Sequence, residues 1–519
     1  MTRTVRSGLA TATARASSAV TDGRGLAHAW RSGVRDLDFE PALLRRPGSG
    51  REWEPALLRR WRPPTLVLLV VFLCLQFLIP ARLVVGGLGS IGRPSVAVGI
   101  LLAFLWVVSA RRPGRLPSGR QPVRWLLGGY LAVQLVGYAV GYDRLLPQLE
   151  ANSADRWLIL SVAIVGVTLA VTDGLVTRRH IDLLLRTLVT LASVMAVVGI
   201  LQFLRVVDLT RYIRVPGLRA NRELIGVGAR GDGDFARVAG TANHYIEFGV
   251  VLALVLPIAL HYAFFAPPGR RAGRWLCVAL IASAIPLSIS RSAILTVAVS
   301  MVCLAAVWPW RRRYNVFAVG LVGLVVFHFV NRGVLGTIRS LFTNMDNDPS
   351  VQNRIADQAF VQRMFAERPW LGRGPGTVLP ERYVLLDNQI YGTLVAGGIL
   401  GLLALVALFT VPYLMARSVR LRAADEETRH LGQALAAVFP AGLLASATFD
   451  SFGFATFVGT TMVLVGAVGA LWRLEGVRPW QPISTEQGAY VTVPLTAGLR
   501  SRVRAGWQQS EPPSPKENA

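Results

Sequence analysis

The sequence predicts an all-α, polytopic transmembrane helix bundle of about twelve helices with two long extracytoplasmic loops. Three observations lead there. Hydrophobic residues make up 52% of the 519 and charged residues only 16%, with a mean hydropathy of +0.45, a composition suited to lipid rather than water. Apolar runs approaching the roughly 20 residues that a spanning helix needs recur from Thr65 to Trp472. Arginines punctuate these runs instead of forming one continuous basic face, so the net charge of +25 does not argue for nucleic acid.

Spans are expected near residues 65–85, 94–110, 123–141, 157–174, 182–204, 243–265, 274–289, 292–309, 314–331, 388–416, 432–448 and 453–472. With the N-terminus inside, the connections expected in the cytoplasm collect Arg111, Arg112, Arg115, Arg120, Arg124, Arg178, Arg179, Arg270, Arg271, Arg274, Arg311 to Arg313, Arg417, Arg420, Arg422 and Arg429. The short outer connections hold Arg93, Arg144, Arg156 and Arg291. This imbalance follows the positive-inside rule and places both termini in the cytoplasm. Residues 1–63 lack the apolar core of a secretory signal and read as a disordered basic tail, and residues 474–519 read as a disordered tail, flanking a catalytic domain over 64–473. The first tail repeats Glu-Pro-Ala-Leu-Leu-Arg-Arg at Glu40 to Arg46 and Glu54 to Arg60, a basic juxtamembrane segment suited to anionic lipid or to a docking partner. Cys74, Cys277 and Cys303 fall within apolar runs and form neither a disulfide framework nor a metal site.

Two connections, 205–242 and 332–387, are too long to be turns, and together they carry 14 arginines. Among these are Arg211, Arg214, Arg219, Arg222, Arg230 and Arg237 in the first loop, and Arg354, Arg363, Arg368, Arg373 and Arg382 in the second. They suggest an anion-binding outer face, against the plainer reading of solvated basic loops. The first loop runs through Arg237, Gly240, Thr241 and Asn243 into an apolar helix. Gly240 permits a tight turn, Thr241 or Asn243 is a candidate cap, and the helix N-terminus beside Arg237 offers N–H groups to a diphosphate. His244 and Glu247, three residues apart on one helix face, are either an acid/base couple or a polar contact at the membrane surface. Arg291 lies in the near-loopless Ser288-Ile-Ser-Arg-Ser292 connection, where snorkelling and function compete as explanations. Trp370 and Tyr391 are candidates for stacking on sugars, or for the interfacial aromatic belt.

In order and placement, four segments resemble the O-antigen ligase and polymerase family of bacterial enzymes that elongate or attach lipid-linked glycans. They are Arg-x-x-Gly-Thr-x-x-His at Arg237 to His244, Ser-x-Ser-Arg-Ser at Ser288 to Ser292, Pro-Trp-Leu-Gly-x-Gly-Pro-Gly at Pro369 to Gly376, and Asp-Asn-x-x-Tyr at Asp387 to Tyr391 followed by Gly-Gly-Ile-Leu-Gly at Gly397 to Gly401. The resemblance implies a glycosyltransferase of polysaccharide biosynthesis in the cytoplasmic (inner) membrane of the cell envelope. Its donor would be a glycan on undecaprenyl diphosphate and its acceptor a glycan or glycolipid hydroxyl, with membrane lipid as solvent and no metal or cofactor. Arg237 and Arg291 match the family's arginines and are expected to hold the diphosphate, with Arg219, Arg363, Arg373, Asn388 and Tyr391 as further substrate contacts. Ligases of the family carry a histidine where this chain has Asp387, which shifts the expectation towards polymerisation and makes Asp387, with His244 and Glu247, the candidate catalytic set. The rival reading is a polysaccharide transporter or lipid-glycan flippase. Two related halves, midplane charges or broken helices would mark it, and the sequence displays none of these.

Overall fold

The computed structural model describes residues 65–112, 116–117, 120–221, 237–330 and 349–477. Both tails up to Pro64 and beyond Val477, with the repeated heptapeptide, and also Arg222 and Arg230, lie outside the described residues. Thirteen α-helices follow in order among them: α1 Thr65–Leu78, α2 Pro94–Ala110, α3 Pro122–Tyr142, α4 Gln148–Gly174, α5 Arg178–Phe203, α6 Tyr245–Phe264, α7 Pro268–Ala284, α8 Arg291–Ala305, α9 Trp310–Val330, α10 Pro349–Glu367, α11 Gln389–Arg422, α12 Glu426–Ser446 and α13 Ala455–Val477. Each of the twelve expected spans corresponds to a helix, and six helices are both long and apolar enough to cross a membrane. The molecule is a multi-pass all-α membrane bundle. The thirteenth helix, α10, lies in the second long loop and was not expected there.

The first span ends earlier than its hydropathy implies. Helix α1 stops at Leu78, and Pro80 follows, which cannot donate to a continuing helix. Leu83–Val85 then forms strand β1, which pairs antiparallel with β2, Leu218–Ala220, in the first long loop. An apolar Leu-Val-Val run suits a strand as well as a helix, and sequence alone does not separate the two.

Two helices form the axis of the bundle. Apart from Ile246 and Phe264, α6 is buried on all sides, as expected of a helix that is apolar around its whole circumference. It is enclosed by α5, α7, α8 and α12. Helix α13 is the second, with Gly459 against Gln76 and Phe72 of α1, Gly466 against Val171 of α4, and Gly469 against Val123 of α3. By contrast α9 exposes Phe317 (70%), Val319 (70%) and Val322 (62%), surface that lipid would cover.

The described parts of the long loops, the 79–93 segment and the connections 143–147, 285–290 and 447–454 share one face, called here the loop face. Contacts between them and the adjoining helix ends establish this: Ala81 N donates to Thr241 O at 2.9 Å, Gln389 N to Phe449 O at 3.1 Å, Arg144 donates through Nη2 to Arg373 O at 2.8 Å, and Ser288 packs on Gly249 near the start of α6.

Helix α11 is broken, although the sequence shows no sign of a discontinuous helix. Gly398 sits at φ 60°, ψ −157°, about 14 Å along the helix from its start at ~1.5 Å per residue. The Pro/Gly-rich turn after α10 plugs the break. Arg373 N and Gly374 N donate to the carbonyls of Val395 and Ala396 (both 2.9 Å), while Ile399 N and Leu400 N donate to those of Pro369 (2.8 Å) and Trp370 (3.1 Å). Four backbone groups that a broken helix would leave bare are thereby paired within the chain, as the low-dielectric setting requires. Turn and helix approach so closely that a side chain on Gly372, at φ 62°, would lie 2.5 Å from the Ala396 carbonyl carbon and one on Gly398 would run into the Trp370 backbone.

Gly398→Ala should therefore destabilise the protein by at least the roughly 1–2 kcal/mol that a left-handed conformation costs a residue with a Cβ, with steric strain added. Gly397→Ala, whose methyl would meet nothing within 4 Å, should be close to neutral. Thermal unfolding in detergent, with limited proteolysis of the 349–388 segment, distinguishes the two; equal melting temperatures would contradict the interlock.

Candidate functional site

The N-terminal end of α6 is assembled from the motif that precedes it. Thr241 Oγ1 donates to Phe77 O at 2.6 Å and so ties this turn to the end of α1. The cap is His244, not Thr241 or Asn243: its Nδ1 accepts from Ile246 N at 3.2 Å, so Nδ1 is the lone-pair nitrogen. Glu247 is fully buried. Its Oε2 accepts from Asn243 N (2.8 Å), and its Oε1 accepts from Thr456 N (2.6 Å) and Phe457 N (3.3 Å) in the first turn of α13. One carboxylate thus neutralises the starts of both axial helices, where amide donors and the helix dipole favour an anion. The N–H groups that the sequence offers to a diphosphate are, at Asn243 and Ile246, already engaged by Glu247 and His244.

Arg237 stacks over the Tyr245 ring at 4.8 Å from guanidinium carbon to centroid, and its Nη1 donates to Tyr245 Oη at 2.8 Å. Arg291 opens α8 after a turn in which Ile289 has φ 44° and Ser290 caps the helix through Ala293 N. This turn presses on the second turn of α6, where a Cβ on Gly249 would lie 2.6 Å from that of Ala293. The fold therefore brings Arg237 and Arg291, which are 54 positions apart, to the same end of one buried helix.

The other expected contacts divide between structure and surface. Arg373 Nη1 pairs with Glu367 (3.3 Å) and Nη2 donates to Tyr383 Oη (3.0 Å), which in turn donates to the buried Glu150 (2.9 Å). Arg144 reaches the same carboxylate at 3.4 Å. This network fastens the second loop to α3 and α4. Asn388 caps α11, accepting from Ile390 N (2.9 Å) and Tyr391 N (3.3 Å), and Tyr391 packs on the small apolar cluster of Val361, Leu386 and Val395. Arg363 and Arg219 are exposed, on α10 and β2 respectively.

Between α3, α4, the 375–386 segment and α11 opens a cleft of about 860 Å³, counting its part open to solvent. Trp157, Gln134, Gln389, Thr393 and Asp450 are its polar lining residues, and no arginine, lysine or histidine lines it. Asp387 stands exposed at the start of α11, close enough to Asp450 for its charge to act on that carboxyl. Burial, and then the Asp387 charge, push the Asp450 pKa up to about 6. Asp450 is not among the candidates that the sequence offers. The available signal was weak: it is the only carboxylate in the 447–454 connection between two apolar helices.

The 447–454 connection joins the two regions. Its Phe454 lies 5.7 Å from the His244 ring, centroid to centroid, while Asp450 faces the cleft. A cationic end and a carboxylate-bearing cleft thus flank one short segment on the loop face. Among the described residues no group of three histidine, cysteine, aspartate or glutamate side chains is placed to hold a metal ion.

No curated protein matches the chain significantly. Residues 276–406 match a family model described as O-antigen ligase. That segment includes the Arg291 turn, the Pro/Gly-rich plug and the broken half of α11, whereas the Arg237 to His244 motif precedes it. This match bears out the resemblance carried by the motifs over that part of the chain.

Proposed function

We propose that the protein is a glycosyltransferase of the cytoplasmic membrane that moves a glycan from undecaprenyl diphosphate to an acceptor hydroxyl on the outer face, as a polymerase or ligase. The convergence of Arg237 and Arg291 on one end of α6, beside a cleft that bears a carboxylate and no basic side chain, carries this reading. The arginines neutralise the diphosphate in the ground state and, more strongly, as negative charge develops on departure. No step of this reading calls on a metal or cofactor. The acceptor oxygen attacks the anomeric carbon, the bond from that carbon to the diphosphate oxygen breaks, and the electron pair leaves with undecaprenyl diphosphate. The hydroxyl proton passes to a carboxylate of the cleft.

A flippase reading gains nothing from the broken α11. Discontinuous helices serve transport by offering unpaired backbone groups to a substrate, and here the Pro/Gly-rich turn takes those groups.

Arg237→Lys and Arg291→Lys should each slow transfer roughly 10- to 100-fold, because an ammonium cannot reproduce the forked contact of a guanidinium and a charge-assisted hydrogen bond contributes about 1.5–3 kcal/mol. The assay is glycan chain length from cells and reconstituted vesicles with membrane levels matched. Full activity in both lysine variants would return these residues to snorkelling. Sidedness has its own test, in a chain with the three native cysteines replaced. Tyr212→Cys on the loop face should react with an impermeant thiol reagent in intact cells, and Leu421→Cys, at the opposite end, should react only after lysis; the reverse pattern would remove the mechanism.

A further inference from the structure

The proposed function leaves open which group takes the hydroxyl proton and what the cleft holds. Resting on that reading, we propose that the cleft seats an uncharged sugar ring of the acceptor and that Asp450, not the exposed Asp387, accepts the proton of the attacking hydroxyl.

The lining argues for the ligand class. An indole (Trp157), two carboxamides (Gln134 and Gln389), a hydroxyl (Thr393) and one carboxylate, set among Gly376, Gly392, Gly397 and Gly401, offer a flat apolar face and neutral hydrogen-bonding groups. A sugar ring uses such groups. A diphosphate would find no positive charge there. Trp157 Nε1 donates to Gln134 Oε1 at 3.1 Å, which fixes the amide and leaves its NH₂ to donate.

The position of Asp450 is built by its neighbours. Gln389 grips the connection on both sides of it, donating from its backbone N to Phe449 O (3.1 Å) and accepting at Oε1 from Phe452 N (2.7 Å). Gln389 is itself braced, its Nε2 donating to Thr393 Oγ1 at 2.9 Å. Gly453 leaves the space that the carboxylate occupies, since a Cβ there would lie 2.6 Å from Asp450 Oδ2. Among the described residues no hydrogen-bond donor serves the Asp450 carboxylate, in contrast to Glu247, whose oxygens accept three backbone N–H groups.

An undonated carboxylate beside a second negative charge has a raised proton affinity, which suits a base working near neutral pH. The Asp450 carboxyl, at about 6, is ionised above that pH and ready to accept, and loses this ability as pH falls through it. Asp387 acts through Asp450 and is a positioning residue. The other titratable groups near the connection are His244, against Phe454, and Glu247, on the Thr456 and Phe457 amides. In the step itself the acceptor oxygen bonds the anomeric carbon as its proton moves to Asp450, and the diphosphate leaves with the electron pair. The proton then escapes to solvent through the open cleft.

The test uses the full chain in vesicles with undecaprenyl-diphosphate-linked glycan extracted from the producing cells. Initial transfer rate is measured against pH, and retention of radiolabelled donor is measured in parallel. Wild-type transfer should decline on the acid side with a midpoint near 6. Asp450→Asn should transfer roughly 10²–10⁴-fold more slowly with donor retention unchanged, and Asp450→Glu should recover part of the rate. Asp387→Asn should keep most of the rate and move the acid midpoint to lower pH, because it removes the charge that raises the Asp450 proton affinity. That shift is a result a merely structural role for either aspartate would not produce. His244→Asn, which preserves a capping oxygen, should leave the midpoint in place. An Asp450→Asn variant as fast as wild type, or an Asp387→Asn variant with an unmoved midpoint, overturns this inference alone. Wild-type protein that neither retains the donor nor transfers sugar overturns the functional reading together with it.

Discussion

The insertion of the 369–376 turn into the break in α11 is the constraint on which the rest of the loop face depends. A helix interrupted at membrane depth leaves amide and carbonyl groups without partners, each costly in a medium that offers no water. This chain pairs them with backbone from the loop immediately before the helix. The exchange is reciprocal. Helix α11 can depart from helical geometry only because the turn is there, and the turn holds three glycines in left-handed conformations, Gly372, Gly374 and Gly376, only because the break receives it. Pro375 and Gly376 are thereby fixed opposite Gly392, Ala396, Gly397 and Gly401, so the interlock forms two walls of the cleft.

A second constraint sets the electrostatics. Glu247 joins the starts of α6 and α13 and uses up the anion-binding capacity of both helix ends. The positive charge near that end then resides in arginine side chains, whose forks can follow a diphosphate as it departs. Arg237 and Arg291 stand at the end of α6 and Asp387 at the start of α11, with the 447–454 connection and its Asp450 between them. For a displacement that places negative charge on one oxygen and takes a proton from another, such separation keeps the base from pairing with the cation that must stabilise the leaving group.

Most of the fold was legible in the sequence because hydropathy reports burial in lipid directly. All twelve spans correspond to helices, and the error at 79–85 arose because Leu83-Val-Val pairs with a strand more than 130 residues away, a tertiary fact. The family motifs were legible by order, while their physical relation was not. Pro369 to Gly376 and Gly397 to Gly401 read as two weak glycine patterns, and only the structure shows them to be the halves of one joint. Glu247 drew attention as a carboxylate beside a histidine, yet its partners are backbone amides that carry no sequence signature. Asp450 has no motif around it. Its raised proton affinity comes from burial and from a neighbour 63 positions away, neither of which spacing reveals.

Catalytic carboxylates at membrane surfaces face a conflict between being buried enough to bind protons well and exposed enough to exchange them. Asp387 satisfies the second requirement and Asp450 the first. Asp387 stands exposed at the start of α11. Asp450 is held further into the cleft by Gln389, without donors that would stabilise its anion. Two carboxylates in unlike surroundings can divide the work, one tuning and the other accepting. On the proposal made above, a chain with aspartate where the ligases it resembles carry histidine keeps a group titrating near neutrality in the second carboxylate.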